Sequence, residues 1–293
     1  MRDTELTRIT IKPTGMRLHE WICFDQGFWA QEGLDPRIEE HHHVGRTGPW
    51  GDYGQRPQDK TFVEDEPAIG NACAWGTVCN AGAGMGKLVP DVHGVARWAI
   101  YVRPDSRIQR PEDLANVPIG VGYRAGSHYN VPYRLQQYLP LEQIQIARVG
   151  GYQARLDALL SGEVEATSLL DPQISMADQL GLRPVIANTF HTWWWVDART
   201  PRELLERYFN SLERAERALQ QDARRFLHLW RWSMPPEQRE RGWDYRRFHE
   251  GERFVRAPIP RAEYDAVIAS LERWGLDDVM RDKDYERLAL AIA

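Results

Sequence analysis

Strand-like and helix-like segments alternate over most of this chain before residue 190, and that alternation leaves few folds open. Residues 7 to 12 alternate polar and β-branched side chains and predict a strand, which Pro13, Thr14 and Gly15 break. Leu18, Trp21, Ile22, Phe28 and Trp29 then recur at helical spacing, with Gly33 as the stop. Further strands are predicted at 34–39, 67–74, 92–102, 117–122, 144–149 and 164–170. Helices are predicted after Ser127 and over 153–160, and Gly76 to Gly86 reads as a tight turn and helix start. A regular βα alternation implies largely parallel sheets covered by helices, so the fold class is α/β. The last third differs: 201–232 and 261–274 read as charged, amphipathic helices.

With 293 residues the chain suits about two domains. A net charge of −5, with arginines interleaved among acids, argues against a nucleic-acid partner, which needs a basic face. Three cysteines, Cys23, Cys73 and Cys79, fit reduced thiols rather than a disulfide framework. Met1–Leu6 starts acidic, and no apolar run reaches signal-peptide or membrane-spanning length. As written the chain is therefore expected in the cytoplasm; a misassigned start or a removed signal would place it in the periplasm. Twelve tryptophans exceed what a core of this size needs, which leaves rings for a ligand cleft or an interface.

Three segments carry a resemblance. Residues 19–35 end in Gly27-Phe28-Trp29-Ala30-Gln31-Glu32-Gly33-Leu34-Asp35. Arg103-Pro104-Asp105-Ser106 is followed by Pro111-Glu112-Asp113-Leu114 and Ile119-Gly120-Val121. The third is Ala158-Leu159-Leu160-Ser161-Gly162-Glu163-Val164-Glu165-Ala166. In this order and spacing they resemble the type 2 periplasmic-binding-protein fold, and within it the nitrate/sulfonate/taurine solute-binding group and the thiamin pyrimidine-precursor synthase. The iron-binding cysteine cluster of that synthase is absent from this sequence.

The resemblance implies two lobes, each a mainly parallel sheet flanked by helices. Residues 1–98 plus 189–293 would form lobe one and 99–188 lobe two. Two crossover strands near Arg97 and Asn188 would be the hinge, and a small molecule would bind between the lobes. The function it implies is binding of a small aromatic or anionic solute, as in ABC-transporter substrate-binding proteins, with a permease as partner if the protein is exported. The alternative is a cytoplasmic enzyme on the same fold, resembling desulfinases, decarboxylases, dehydratases or the pyrimidine synthase, acting on a small aromatic acid or heterocycle. No cofactor is expected.

The candidate ligand contacts are His19, Asn71, Trp75, Gly126, Ser127, His128, Tyr152, Asp171 and Trp193. Ser127 and His128 open a helix whose free N–H groups favour an anion, although Ser127 also reads as a plain N-cap. Trp75 reads equally as a stacking surface or a core residue. His19 is either a donor to ligand or a capping residue. If the chain is an enzyme, His19 and Cys73 are the catalytic candidates, with a buried inert thiol as the competing reading of Cys73. Asp171 suits a ligand amine or a helix N–H, and Tyr152 would reach the cleft from a loop. Strand alternation over His191–Trp195 sets Trp193 and Trp195 on one face and Trp194 on the other. His41, His42 and His43 invite a metal, but adjacent residues of an extended chain point in opposite directions. Trp230 and Trp232 suit packing or a homodimer interface.

Overall fold

The computed structural model describes residues 6–11, 17–38 and 68–292. Nine strands form one mixed sheet: β1 (Thr7–Ile11), β2 (Leu34–Ile38), β3 (Ala68–Cys73), β4 (Lys87–Val102), β5 (Pro118–Val121), β6 (Gln145–Arg148), β7 (Ala166–Leu169), β8 (Arg183–Val196) and β9 (Arg253–Val255). Their order is β2-β1-β3-β8-β4-β7-β5-β6, with β9 on β4. β1 pairs in parallel with β2 and β3, and β5 with β6 and β7. These two parallel groups are the sheets of two lobes.

The lobes are joined by β4 and β8, which run antiparallel from Lys87↔Val196 to Val102↔Arg183. Both are far longer than an ordinary strand, because each serves both lobes. In the sequence, β4 was expected to start at Val92. Lys87–Val89 extend it because they pair with Trp194–Val196, next to β3. Arg97↔Thr189 and Trp98↔Asn188 are register partners, so the expected hinge positions face each other.

Helices follow the hydrophobic pattern. Leu18–Asp25 buries Leu18, Trp21 and Ile22. Arg202–Asp222 buries Leu204, Leu205, Tyr208, Phe209, Leu212, Ala215 and Leu219, a stripe at helical spacing. The α-helix stops at Asp222 rather than Trp232, and 3-10 turns over Ala223–Arg225 and Leu227–Ser233 take over. This tighter winding buries Phe226, Leu227, Leu229 and Trp230 together, and the Trp230 indole N–H donates to the His249 carbonyl at 2.8 Å. Gly76–Gly86 is not a helix start. The helix begins at Ala74 and ends at Gly82, and the glycines terminate it, Gly84 and Gly86 lying at φ +86° and +88°.

Trp193 and Trp194 enter different cores, as alternation requires. Trp274 packs on Trp75, and Trp232 packs edge-on against Trp21 and Phe24. These rings of the last third are engaged within the chain. Among the described residues no helix is long and apolar enough to cross a membrane, and no group of three metal-ligating side chains converges. His41, His42 and His43 lie outside the described residues.

Candidate functional site

Parallel strands place their following helix starts at one edge of a sheet, and ligands of open α/β folds bind there. In lobe one β3 leads to Ala74, and the helix after β1 starts at Leu18. In lobe two β5, β6 and β7 lead to helices starting at Gly126, Tyr152 and Gln173. The two sets face each other, and at one point they touch. A β-carbon on Gly126 would lie 3.4 Å from the Cys73 Cβ and 3.8 Å from Phe190. A side chain here would make ordinary van der Waals contact across the junction, so the lobes are in touching distance at this point.

The lobe-one wall is a buried polar network. Arg17 Nε donates to Glu252 Oε2 at 2.9 Å, and its Nη2 donates to the Asn71 carbonyl and side-chain oxygens. The Asn71 amide and the Thr192 hydroxyl both donate to Glu252 Oε1, at 3.2 and 2.8 Å. Glu20 accepts the Arg17 backbone N–H at 2.9 Å and the Tyr208 hydroxyl at 3.0 Å. Burial opposes the Arg17 charge, but Glu252 and then Glu20 outweigh it, so its pKa is raised. Gly94, across from Thr192, leaves the room for this network: a β-carbon there would sit 2.2 Å from Thr192 Oγ1 and 2.4 Å from Glu252 Oε1.

Tyr152 is the lobe-two residue that meets this wall. Burial raises the pKa of its phenol, and the charges of Arg17 and Arg155 work against that rise. Behind it stands Arg155, 2% exposed, its guanidinium carbon 5.0 Å from the Tyr152 ring centre. Arg155 Nε and Nη1 have no hydrogen-bond partner among the described residues. Burial pushes its pKa down to about 10, and only Tyr152 acts to raise it. A buried cation with no counter-charge costs several kcal/mol, roughly the desolvation penalty of one ion. The same lobe carries buried acceptors without donors among the described residues, Gln173 Oε1 and Asp171 Oδ2. Burial raises the Asp171 pKa, and Arg97 and His249 oppose the rise.

The residues singled out in the sequence divide three ways. Asn71, Cys73, Gly126 and Tyr152 are brought together at the junction of the lobes, and Asp171 follows β7, within electrostatic reach of Arg97 and His249. Ser127 and His128 hold the turn itself. The Ser127 hydroxyl accepts the Gly122 N–H at 2.9 Å, and His128 Nδ1 accepts the Arg124 N–H at 3.0 Å. His19, Trp75 and Trp193 are packing positions. His19 is fully buried against Trp194 and Phe254, with Nδ1 3.3 Å from the Glu252 carbonyl. Trp75 is wedged among Tyr129, Tyr133 and Trp274, and Trp193 has no exposed surface. Their indole nitrogens have no partner among the described residues, the cost of seating these rings in apolar cores.

Cys73 caps its helix, its sulfur accepting the Gly76 N–H at 3.3 Å. All three cysteines are buried, and none is in a disulfide. Arg17, Arg155 and Glu252 were not legible as site residues. Arg155 did leave one signal: a charge between Ala154 and Leu156 on a helix whose buried residues are otherwise uncharged.

No protein-family model matches the chain, and no curated protein matches it. Solved structures do. The periplasmic aliphatic sulphonate binding protein SsuA from Escherichia coli superposes with a TM-score of 0.69 at 15% identity, over 97% of this chain and 91% of that one. The desulfurization enzyme DSZB superposes at 0.62 and 14% identity, over 97% and 96%. A Candida albicans gene product with the generic periplasmic binding protein fold superposes at 0.62 and 12% identity, over 97% and 96%. The chain has the periplasmic-binding-protein fold across its length, as the sequence resemblance implied.

Proposed function

We propose that the protein binds a small organic anion, a sulfonate or carboxylate with an apolar or aromatic body, between its lobes. The observation that carries this reading is Arg155, a buried guanidinium at the cleft with two N–H-bearing nitrogens left for a ligand. The structural likeness to a sulphonate binding protein is consistent with it. In this reading the lobes are residues 1–98 with 189–293 and residues 99–188. Asn71, Gly126, Tyr152 and Asp171 contact ligand together with Arg155. Ser127, His128, Trp75 and Trp193 hold the walls. The protein then acts as a solute-binding component beside an ABC-type permease, in the periplasm like its E. coli structural counterpart.

A second reading rests on Cys73. Its sulfur caps a helix start, and it lies at the lobe junction near Tyr152. DSZB shows that an enzyme can be built on this fold. In this reading the protein works in the cytoplasm.

One experiment separates the two. The purified protein is incubated with a pool of sulfonates and small aromatic acids, and both the retained and the consumed compounds are identified by mass spectrometry. A retained, unchanged anion whose retention Arg155→Met abolishes supports the binder. A compound converted to a new mass by the wild type but not by Cys73→Ser supports the enzyme. Retention of neutral compounds only, unaffected by Arg155→Met, removes the proposal.

A further inference from the structure

The hinge also borders a second cavity, of about 440 Å³. Side chains alternate along β4, so Val95 and Arg97 lie opposite Gly94, the residue that makes room for the cleft network. Arg97 and its register partner Thr189 form one wall, and Arg224, Arg246, His249, Glu250 and Arg253 close it from the C-terminal third. The peptide His249–Arg253 separates the two sites. Glu252 turns into the cleft, while Glu250 and Arg253 turn outward.

The arginines of this cavity are unevenly paired. Arg253 is paired with Glu216 and Glu250, both at 2.5 Å, and Arg246 with Asp244 at 2.9 Å. His249 is 3.2 Å from Asp178. Arg97 and Arg224 make no hydrogen bond or ion pair among the described residues. Asp171 and Arg97 act on each other only through space. Two guanidinium groups thus line the cavity with no hydrogen-bond partner among the described residues, beside two that are already paired. Guanidinium forks match the oxygens of tetrahedral and planar oxyanions.

We infer that this cavity is a second anion site, distinct from the cleft, taking a small multivalent oxyanion such as a phosphate or a di- or tricarboxylate. Arg97 and Arg224 are its principal ligands. Arg97 belongs to β4 and Arg224 to the segment after the long helix Arg202–Asp222. An anion between them therefore ties a hinge strand to the C-terminal third.

The test uses inorganic phosphate, read as a shift in thermal unfolding against sodium chloride of equal ionic strength. The wild type should show a saturable rise with phosphate beyond the chloride control. Arg97→Ala/Arg224→Ala should weaken the apparent affinity about tenfold or more. Arg97→Lys/Arg224→Lys, which keeps the charge, should retain part of the response, and Arg155→Met should retain all of it. No rise beyond the chloride control overturns the inference. So does a response that survives in the double alanine variant, or one lost in Arg155→Met, which would move the phosphate into the cleft. The Arg155→Met arm also keeps this outcome separate from the fate of the cleft proposal.

Discussion

Arg17 and Glu252 stand 235 positions apart in the chain and 2.9 Å apart in the structure, in an ion pair with 11% and 6% of their side chains exposed. The first helix and the β9 segment thereby form one wall. Removing one member of such a pair leaves the other buried without its partner. Glu252→Ala removes an acceptor from Arg17, Asn71 and Thr192 at once and leaves the Arg17 charge without its nearest carboxylate, and should cost about 3–5 kcal/mol of folding stability. Urea unfolding monitored by tryptophan fluorescence measures this. A loss below about 1 kcal/mol would mean that the wall is solvated in solution.

Arg155→Met should have the opposite effect on the empty protein. It replaces an uncompensated buried charge by an apolar side chain of similar length, so the melting temperature without ligand should hold or rise. Affinity for the anion should fall by roughly 1.5–3 kcal/mol, tenfold or more. Calorimetric titration with the retained anion gives the second number. A destabilised empty variant with unchanged affinity would show that Arg155 serves the fold.

Gly94→Ala inserts a methyl group 2.2 Å from the Thr192 hydroxyl and 2.4 Å from the Glu252 carboxylate. Overpacking of this kind costs about 1–3 kcal/mol. Because the clash falls within the cleft network, ligand affinity should fall with stability. Chemical denaturation and titration of the same preparation test both, and an unchanged pair of values would refute the close approach.

His128 makes stability depend on pH. Burial first, then the charges of Arg124 and Arg148, push its pKa down to about 4 from an ordinary value near 6.5. The geometry agrees, because Nδ1 accepts the Arg124 N–H and must be unprotonated to do so. The unfolded chain binds this proton more readily than the folded one. The contribution is therefore complete above pH 6.5 and is lost as pH falls from there toward 4, about 3 kcal/mol across the interval. His128→Asn offers an oxygen in place of Nδ1 without that titration. The difference in unfolding free energy between the two proteins should shrink between pH 7 and pH 4. Parallel pH profiles would contradict the shift.

Local pattern carried the architecture and little of the site. The order of strands and helices follows from turn residues and hydrophobic spacing, and the hinge at Arg97 and Asn188 followed from the family phrases around them. Asn71, Gly126 and Tyr152 drew attention because they stand at or near a point where a strand gives way to a helix, a place that sequence pattern marks. Glu252 was not, because its importance comes from β9, a three-residue strand too short to leave a pattern. Arg17 gave no signal because its partners lie 54 and 235 positions away. His19 and Trp193 looked functional by residue type, yet the fold uses their rings as core volume.

Because β4 and β8 stay laddered from one lobe into the other, the lobes have no loop about which to swing. Separating them must shear or wind a hydrogen-bonded ribbon, as one bends a leaf spring. The ribbon has two soft spots, the register shifts between Ile100 and Tyr101 and, beside the polar wall of the cleft, between Val89 and Gly94. Part of the give in the molecule is thus placed next to the groups that a bound solute would grip.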